Sequence, residues 1–188
     1  MLLLLLLLAL AIGKEAKPLN GNGLRSLHKR FVNFYDEPFD FSCPEHQSIY
    51  LIYSIESTYY KDRLWDYFCK PTFDTSQPVS SHNGDYVNAF DREINFTCPV
   101  NSVVTAMGSY HDNRAEDRRW KFTCTMQAGI CTDACQWTDY LNDFHSLLFW
   151  VAPDFNYLTG VHSYHCNDAE DRRWKFQYCP KFPCKTVY

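Results

Sequence analysis

The chain has 188 residues, 46% of them hydrophobic and 17% aromatic, and a formal charge of −4. That much apolar material excludes a disordered chain, and the acidic balance argues against a general affinity for nucleic acid. The length suits one domain or one array of repeats.

The first residues, MLLLLLLLALAIG, form an apolar run too short to span a bilayer. It ends in small residues, with Ala11 and Gly13 at −3 and −1 of a cleavage site. Residues 1–13 are therefore predicted to be a secretory signal peptide, although only the α-amino group supplies a positive charge there. No other stretch approaches a transmembrane length, so no membrane span is expected and the mature chain is expected in the extracellular space. Residues 14–30 (KEAKPLNGNGLRSLHKR) are polar and basic and read as a linker or propeptide. Lys29-Arg30 stands immediately before Phe31. A dibasic cut there and an uncut arm are both open readings.

From Phe31 onward the chain repeats itself, which is the sequence signature of an array. DRLWDYFC at Asp62 to Cys69 returns as DRRWKFTC at Asp117 to Cys124 and as DRRWKFQYC at Asp171 to Cys179. Upstream, FVNFYDEPFDFSCP, YVNAFDREINFTCP and YLNDFHSLLFWVAP are likewise matched. Between them Ile49, Ile52 and Ser54 answer to Val104, Met107 and Ser109, and to Leu158, Val161 and Ser163. Three units, 31–69, 86–124 and 140–179, account for most of a domain placed at 31–188.

Within each unit the apolar period is two. Phe39, Phe41 and Cys43 alternate with polar residues, as do Ile94, Phe96 and Cys98, and Trp120, Phe122 and Cys124. This is the signal of a half-buried strand. Pro44, Pro99 and Pro153 follow at the same place, where a turn is expected. The prediction is an all-β fold with three to four short antiparallel strands per unit, in a β-trefoil-like or prism-like arrangement of pseudo-threefold symmetry. Segments 70–85 and 125–139 read as turn-rich connectors.

Nine cysteines in a secreted chain imply disulfides. Cys43 and Cys69 are 26 residues apart, and so are Cys98 and Cys124, at equivalent places in two units. These pairs are the predicted bridges. Unit three has Ala152 at the first of these positions. Cys131, Cys135, Cys166, Cys179 and Cys184 remain, an odd number.

Asp62, Arg63 and Trp65 recur as Asp117, Arg118 and Trp120 and as Asp171, Arg172 and Trp174. Alternation puts each Arg on the side of its Trp. Such a repeat reads as a framework, a partly buried Arg paired to a carboxylate beside the Trp in each unit, with a threefold ligand pocket as the other reading. Arg119 and Lys121, and Arg173 and Lys175, fall on the opposite face, where unit one has Leu64 and Asp66. Two basic pairs in an acidic chain are candidates for a sulfated glycan. Against this stands a solvated face neutralised by Glu116 and Glu170.

No GxSxG, HExxH, P-loop or GxGxxG motif is present, and no carboxylate pair stands out for glycoside hydrolysis. The chain is expected to be non-enzymatic, with no cofactor and no metal. His162, His165 and Cys166 could be drawn as a metal site, but His165 matches His111 in the repeat, which favours a strand or turn position. Asn95-Phe96-Thr97 is the only N-glycosylation sequon, with Asn95 facing outward.

The repeated Asp-Arg-x-Trp segments, the Val-Asn lead-in, the aromatic-x-Cys-Pro strands and the abundance of tyrosine resemble the dermatopontin family, which includes the haemagglutinin/amoebocyte aggregation factors. The resemblance covers about 31–188. It implies a secreted adhesion protein with proteoglycans, collagen and cell-surface receptors as partners. Its alternative implication is a carbohydrate-binding lectin that aggregates cells in defence. It also implies bridges Cys131–Cys184 and Cys135–Cys179. Cys166, which replaces Asp112 of unit two, is then left unpaired, either free or linking two chains into a homo-oligomer. There is no Arg-Gly-Asp, so an integrin would need another surface.

Overall fold

A computed structural model describes residues 31–184, so the expectations placed on 1–13 and 14–30 lie outside the described residues. Among those described there are twelve strands and no helix. Unit one supplies β1 (Phe39–Ser42), β2 (Gln47–Ser57) and β3 (Asp62–Pro71). The connector that follows contains β4 (Val79–Asn83). Unit two supplies β5 (Ile94–Thr97), β6 (Val103–Asp112) and β7 (Asp117–Gln127), and its connector contains β8 (Ile130–Thr132) and β9 (Gln136–Trp137). Unit three supplies β10 (Leu148–Val151), β11 (Asn156–Cys166) and β12 (Asp171–Pro183).

The first strand of each unit is short, but the other two run to between 10 and 13 residues, longer than the sequence pattern suggests. The apolar segment ending in Ser and the Asp-Arg-x-Trp segment are the two arms of one long antiparallel hairpin, β2–β3, β6–β7 or β11–β12. Each hairpin turn ends on a left-handed residue just before the Asp: Lys61, Glu116 and Glu170 have φ of 49°, 45° and 49°. Non-glycine residues rarely adopt this conformation outside tight turns.

No unit closes on itself. The short strand of one unit pairs with the hairpin of another: β1 with β6, β5 with β11, and β10 with β2. The equivalent registers are Phe39↔Ser109, Ile94↔Ser163 and Leu148↔Ser54. Sheets with the order β1-β6-β7-β4, β10-β2-β3 and β5-β11-β12-β8 result, with β9 also on β12. The connectors thus contain edge strands as well as turns.

The inward faces meet in one core. Trp65, Trp120 and Trp174 contact one another edge to face, with centroids 4.8, 5.0 and 5.1 Å apart, the geometry that ring quadrupoles favour. Ile52, Met107 and Val161 pack around them with Ile94 and Leu148. Four disulfides are present: Cys43–Cys69, Cys98–Cys124, Cys131–Cys184 and Cys135–Cys179. Cys43 follows β1, which lies in one sheet, while Cys69 lies in β3 of another, so this bridge clips two sheets together. Ala152, at the matching place in unit three, is buried and donates its N–H to Tyr50 O at 2.8 Å. Cys166 is a half-buried free thiol.

Candidate functional site

The repeated Asp and Arg form a closed set of three buried ion pairs. Arg118 Nε and Nη2 donate to Asp62, Arg172 to Asp117 and Arg63 to Asp171, all six bonds at 2.6 or 2.7 Å. Each Arg therefore reaches the Asp of a different unit, so the pairs join units rather than frame each one. The same Nη2 also donates to a carbonyl in the lead-in of that other unit or beside it: Glu37, Arg92 and Ser146. All six side chains are buried. A bidentate guanidinium–carboxylate pair meets the geometric demand of burial, and removing one partner leaves an uncompensated charge. The Asn of each lead-in is the second part of the frame. Asn33, Asn88 and Asn142 accept the N–H of Trp65, Trp120 and Trp174 and donate to the carbonyl of Arg63, Arg118 and Arg172.

Beside each ion pair sits an acid–histidine contact that sequence reasoning missed. Asp36 faces His111 at 3.7 Å and Asp91 faces His165 at 3.4 Å. At the third junction the partners are exchanged, with His145 in the lead-in and Glu56 on the strand at 3.4 Å. The signal was in the repeat: where unit three has His145 for Asp36 and Asp91, unit one has Glu56 for His111 and His165. Burial, then the nearby Asp62 or Asp171, pushes the Asp36 and Glu56 carboxyls above their usual range. Among the described residues, Asp36, Asp62 and His111, and Asp91, Asp117 and His165, stand close enough to share a cation. Asp62 and Asp117 already give both oxygens to a guanidinium, so these groups work as ion-pair networks. His162 instead bonds to Tyr140 and His165 to Asn167, so the structure does not gather His162, His165 and Cys166 around one point.

The outward faces of β7 and β12 carry the basic pairs, and aromatic rings lie under them. Arg119 and Lys121 stand over Tyr86 at 5.3 and 5.7 Å. Arg173 and Lys175 stand over Tyr140 at 5.0 and 5.4 Å, and Lys175 also reaches Trp137 at 5.7 Å. Such stacking holds a cation in place without neutralising it. The arginines are anchored further, Arg119 Nε to Asn88 O at 2.7 Å and Arg173 Nε to Asn142 O at 2.9 Å. Glu116 and Glu170 do not neutralise this face. As the left-handed last residues of the hairpin turns, they lie against His111 and His165 instead. The counter-charges are Asp40, 2.7 Å from Lys121, and Asp143, 3.0 Å from Arg173. The hydrogen bond to Asp40 raises the Lys121 ammonium above its ordinary pKa. In unit one the corresponding Leu64 is buried, so no basic face forms there. Asn95 is exposed on β5.

Next to Lys121, the outer face of the first sheet is hollowed into a cleft of about 530 Å³. It runs between β1 and β4 across β6 and β7, and its lining mixes polar groups, including Ser42, Ser81, Asn83 and Thr123, with Phe41, Pro44 and Val79.

These features define a disulfide-stapled all-β domain with basic side chains stacked on aromatic rings at its outer faces. The chain belongs to the dermatopontin family, whose sequence profile matches residues 33–184. It is similar to the hemagglutinin/amebocyte aggregation factor of Limulus polyphemus, 42% identical over 79% of this chain and 86% of that one. It is also similar to Millepora cytotoxin-1 of Millepora dichotoma, 40% identical over 79% of this chain and 65% of the relative. Dermatopontin of Biomphalaria glabrata is 33% identical over 79% of this chain and 99% of its own length. No solved structure matches the chain. Among the described residues, no helix is long and apolar enough to cross a membrane.

Proposed function

We propose that the chain is a secreted, non-enzymatic adhesion protein that binds sulfated glycans of proteoglycans through Arg119, Lys121, Arg173 and Lys175. The observation that carries this reading is the stacking of both basic pairs on exposed-side aromatic rings of two sheets. A rigid cation over a ring keeps its charge for a sulfate while losing little side-chain entropy on binding. Collagen and cell-surface receptors are the further partners that the family implies, and collagen fibril organisation with cell–matrix adhesion is the corresponding role. This reading takes 1–13 as a signal peptide, 14–30 as a linker or propeptide, Asn95 as a glycan acceptor and Cys166 as either a free thiol or the point where two chains join. It also takes the three units of 31–188 as related by a pseudo-threefold axis, supported by the equal registers of their strands.

A lectin role is the second reading, favoured by the 42% identity to a protein named as a hemagglutinin and aggregation factor. Retention of the secreted protein on immobilised heparin, and its loss with rising salt, tests the first reading. Agglutination of cells that free sugars inhibit tests the second. Absence of both would refute glycan-dependent adhesion.

A further inference from the structure

The three units are built alike on their inward faces, but one outward position differs in each. Tyr53, Gly108 and His162 are equivalent, each one residue before the repeated Ser on the first arm of its hairpin. Each is the middle of a cross-strand trio: Phe149–Tyr53–Asp66, Asp40–Gly108–Lys121 and Asn95–His162–Lys175. In the first trio Tyr53 stacks on Phe31 at 5.9 Å. In the third, His162 bonds to the Tyr140 hydroxyl at 3.0 Å. Glycine in a strand interior often marks close approach of another group. At Gly108 a side chain would run into Asp40 and Lys121, which bridge directly above it. Ala106, also small, lies next along the same face and lines the cleft beside that bridge.

Its chemistry is specific. Thr105, Thr125 and Ser81 form a chain of hydroxyl contacts at 2.7 and 2.8 Å. Thr123 donates to Asn83 Oδ1 at 2.9 Å, leaving the Asn83 amide nitrogen to donate outward. Asp40 and Lys121 supply a strong acceptor and a strong donor at one end, with Tyr86 beyond Lys121. Lys121 is the only basic residue apart from His46 in a lining that also holds Asp40 and Glu45. That balance does not favour a polyanion, and the partly exposed Phe41, Pro44 and Val79 stand among polar groups rather than forming a continuous apolar surface. Pre-oriented hydroxyl, amide and carboxylate groups match an uncharged polyol, and the volume is within the range of ligand sites.

We infer that this cleft is a single binding site for an uncharged saccharide, lying beside the Asp40–Lys121 bridge that Gly108 makes room for and adjoining the sulfated-glycan face at Lys121. The inference rests on the glycan-binding reading above and assigns it a second ligand class. Asn83 and Thr123 position the sugar hydroxyls, and the Asp40–Lys121 pair sets which hydroxyl pattern is accepted.

An array of uncharged oligosaccharides, with heparin as the anionic arm, tests this on the full secreted chain. The wild type is expected to retain at least one uncharged oligosaccharide. The double variant Asn83→Ala/Thr123→Val should weaken that binding on the order of tenfold, since two hydrogen bonds to the ligand are lost. Both residues lie on the outer face, and unchanged heparin retention confirms that the variant is folded. Arg173→Ser/Lys175→Ser should do the reverse, keeping the uncharged saccharide and losing heparin. Heparin retention without any uncharged ligand overturns the cleft assignment and leaves the sulfated-glycan reading standing. Uncharged binding that Asn83→Ala/Thr123→Val does not change also overturns it. A chain that retains neither arm refutes both.

Discussion

Arg118 on β7 grips Asp62 on β3 with two hydrogen bonds of 2.6 Å, across the boundary between the first and second units. Their side chains are 4% and 2% exposed. Breaking the pair from one side strands a buried charge, so Arg118→Ala is expected to cost about 3–5 kcal/mol. Removing both, as in Asp62→Leu/Arg118→Met, should cost clearly less than the sum of the single changes, because neither charge is left alone. A double-mutant cycle by denaturant unfolding measures this.

The outward basic residues should behave differently from one another. Lys121 and Lys175 stack on rings at the surface, and replacing both with Ser is expected to change stability by less than about 1 kcal/mol. Arg119 and Arg173 each donate to a backbone carbonyl, so their replacement should cost about 1 kcal/mol apiece. All four substitutions together should shift elution from heparin to markedly lower salt. Equal stability losses for the lysines and the arginines would contradict the assigned anchoring.

His162 supplies a pH dependence. Burial, and then Lys175 on the neighbouring strand, hold its pKa below the ordinary 6.5, against a smaller opposing pull from Glu93. Tyr140 caps its Nε2, Trp137 lies edge-on and Asn95 stands opposite on β5. The unfolded chain therefore takes up this proton at a higher pH than the native chain does. By linkage, the His162 contribution to stability is constant above the unfolded pKa and declines as pH falls from about 6.5 toward the native value. His162→Gln should flatten that part of the stability–pH curve, and Lys175→Met should raise the His162 pKa seen by NMR titration.

Phe155 carries a left-handed backbone, φ 60°, and is 84% exposed. The equivalent left-handed residues are His46 and Asn101, with φ of 63° and 64°. Aromatic residues adopt this region reluctantly, whereas Asn does so readily. Phe155→Asn is expected to stabilise the fold, by up to about 1 kcal/mol, read as a rise in Tm. A fall in Tm would show that the Phe155 ring makes a contact that matters.

Cys43–Cys69 and Cys98–Cys124 each close 26 residues, which the chain-entropy model values at about 3.5 kcal/mol. Replacing either pair with Ala should lower stability by a comparable amount. Cys166→Ser should leave monomer stability nearly unchanged and abolish any disulfide-linked dimer on a non-reducing gel. Peptide mapping that finds Cys166 bridged to Cys131, Cys135, Cys179 or Cys184 of its own chain would overturn the pairing.

The all-β class and the side on which each Arg and Trp lies were legible in the alternation of residues, because a strand's side-chain period of two is a local property. Parity alone separates Arg118 from Arg119, and repetition alone matches Cys43–Cys69 with Cys98–Cys124. That Arg118 pairs with Asp62 of another unit, and that β1 leaves its own hairpin to complete the sheet of β6 and β7, is a consequence of long-range packing. Strand pairing between distant segments depends on which edges meet when the core closes, and identical units give identical local signals whether they pair with themselves or with a neighbour. The repeat shows His145 and Glu56 exchanged for their counterparts, but their contact and the cleft beside the Asp40–Lys121 bridge emerge only at that level, since each is made by side chains from different units brought face to face.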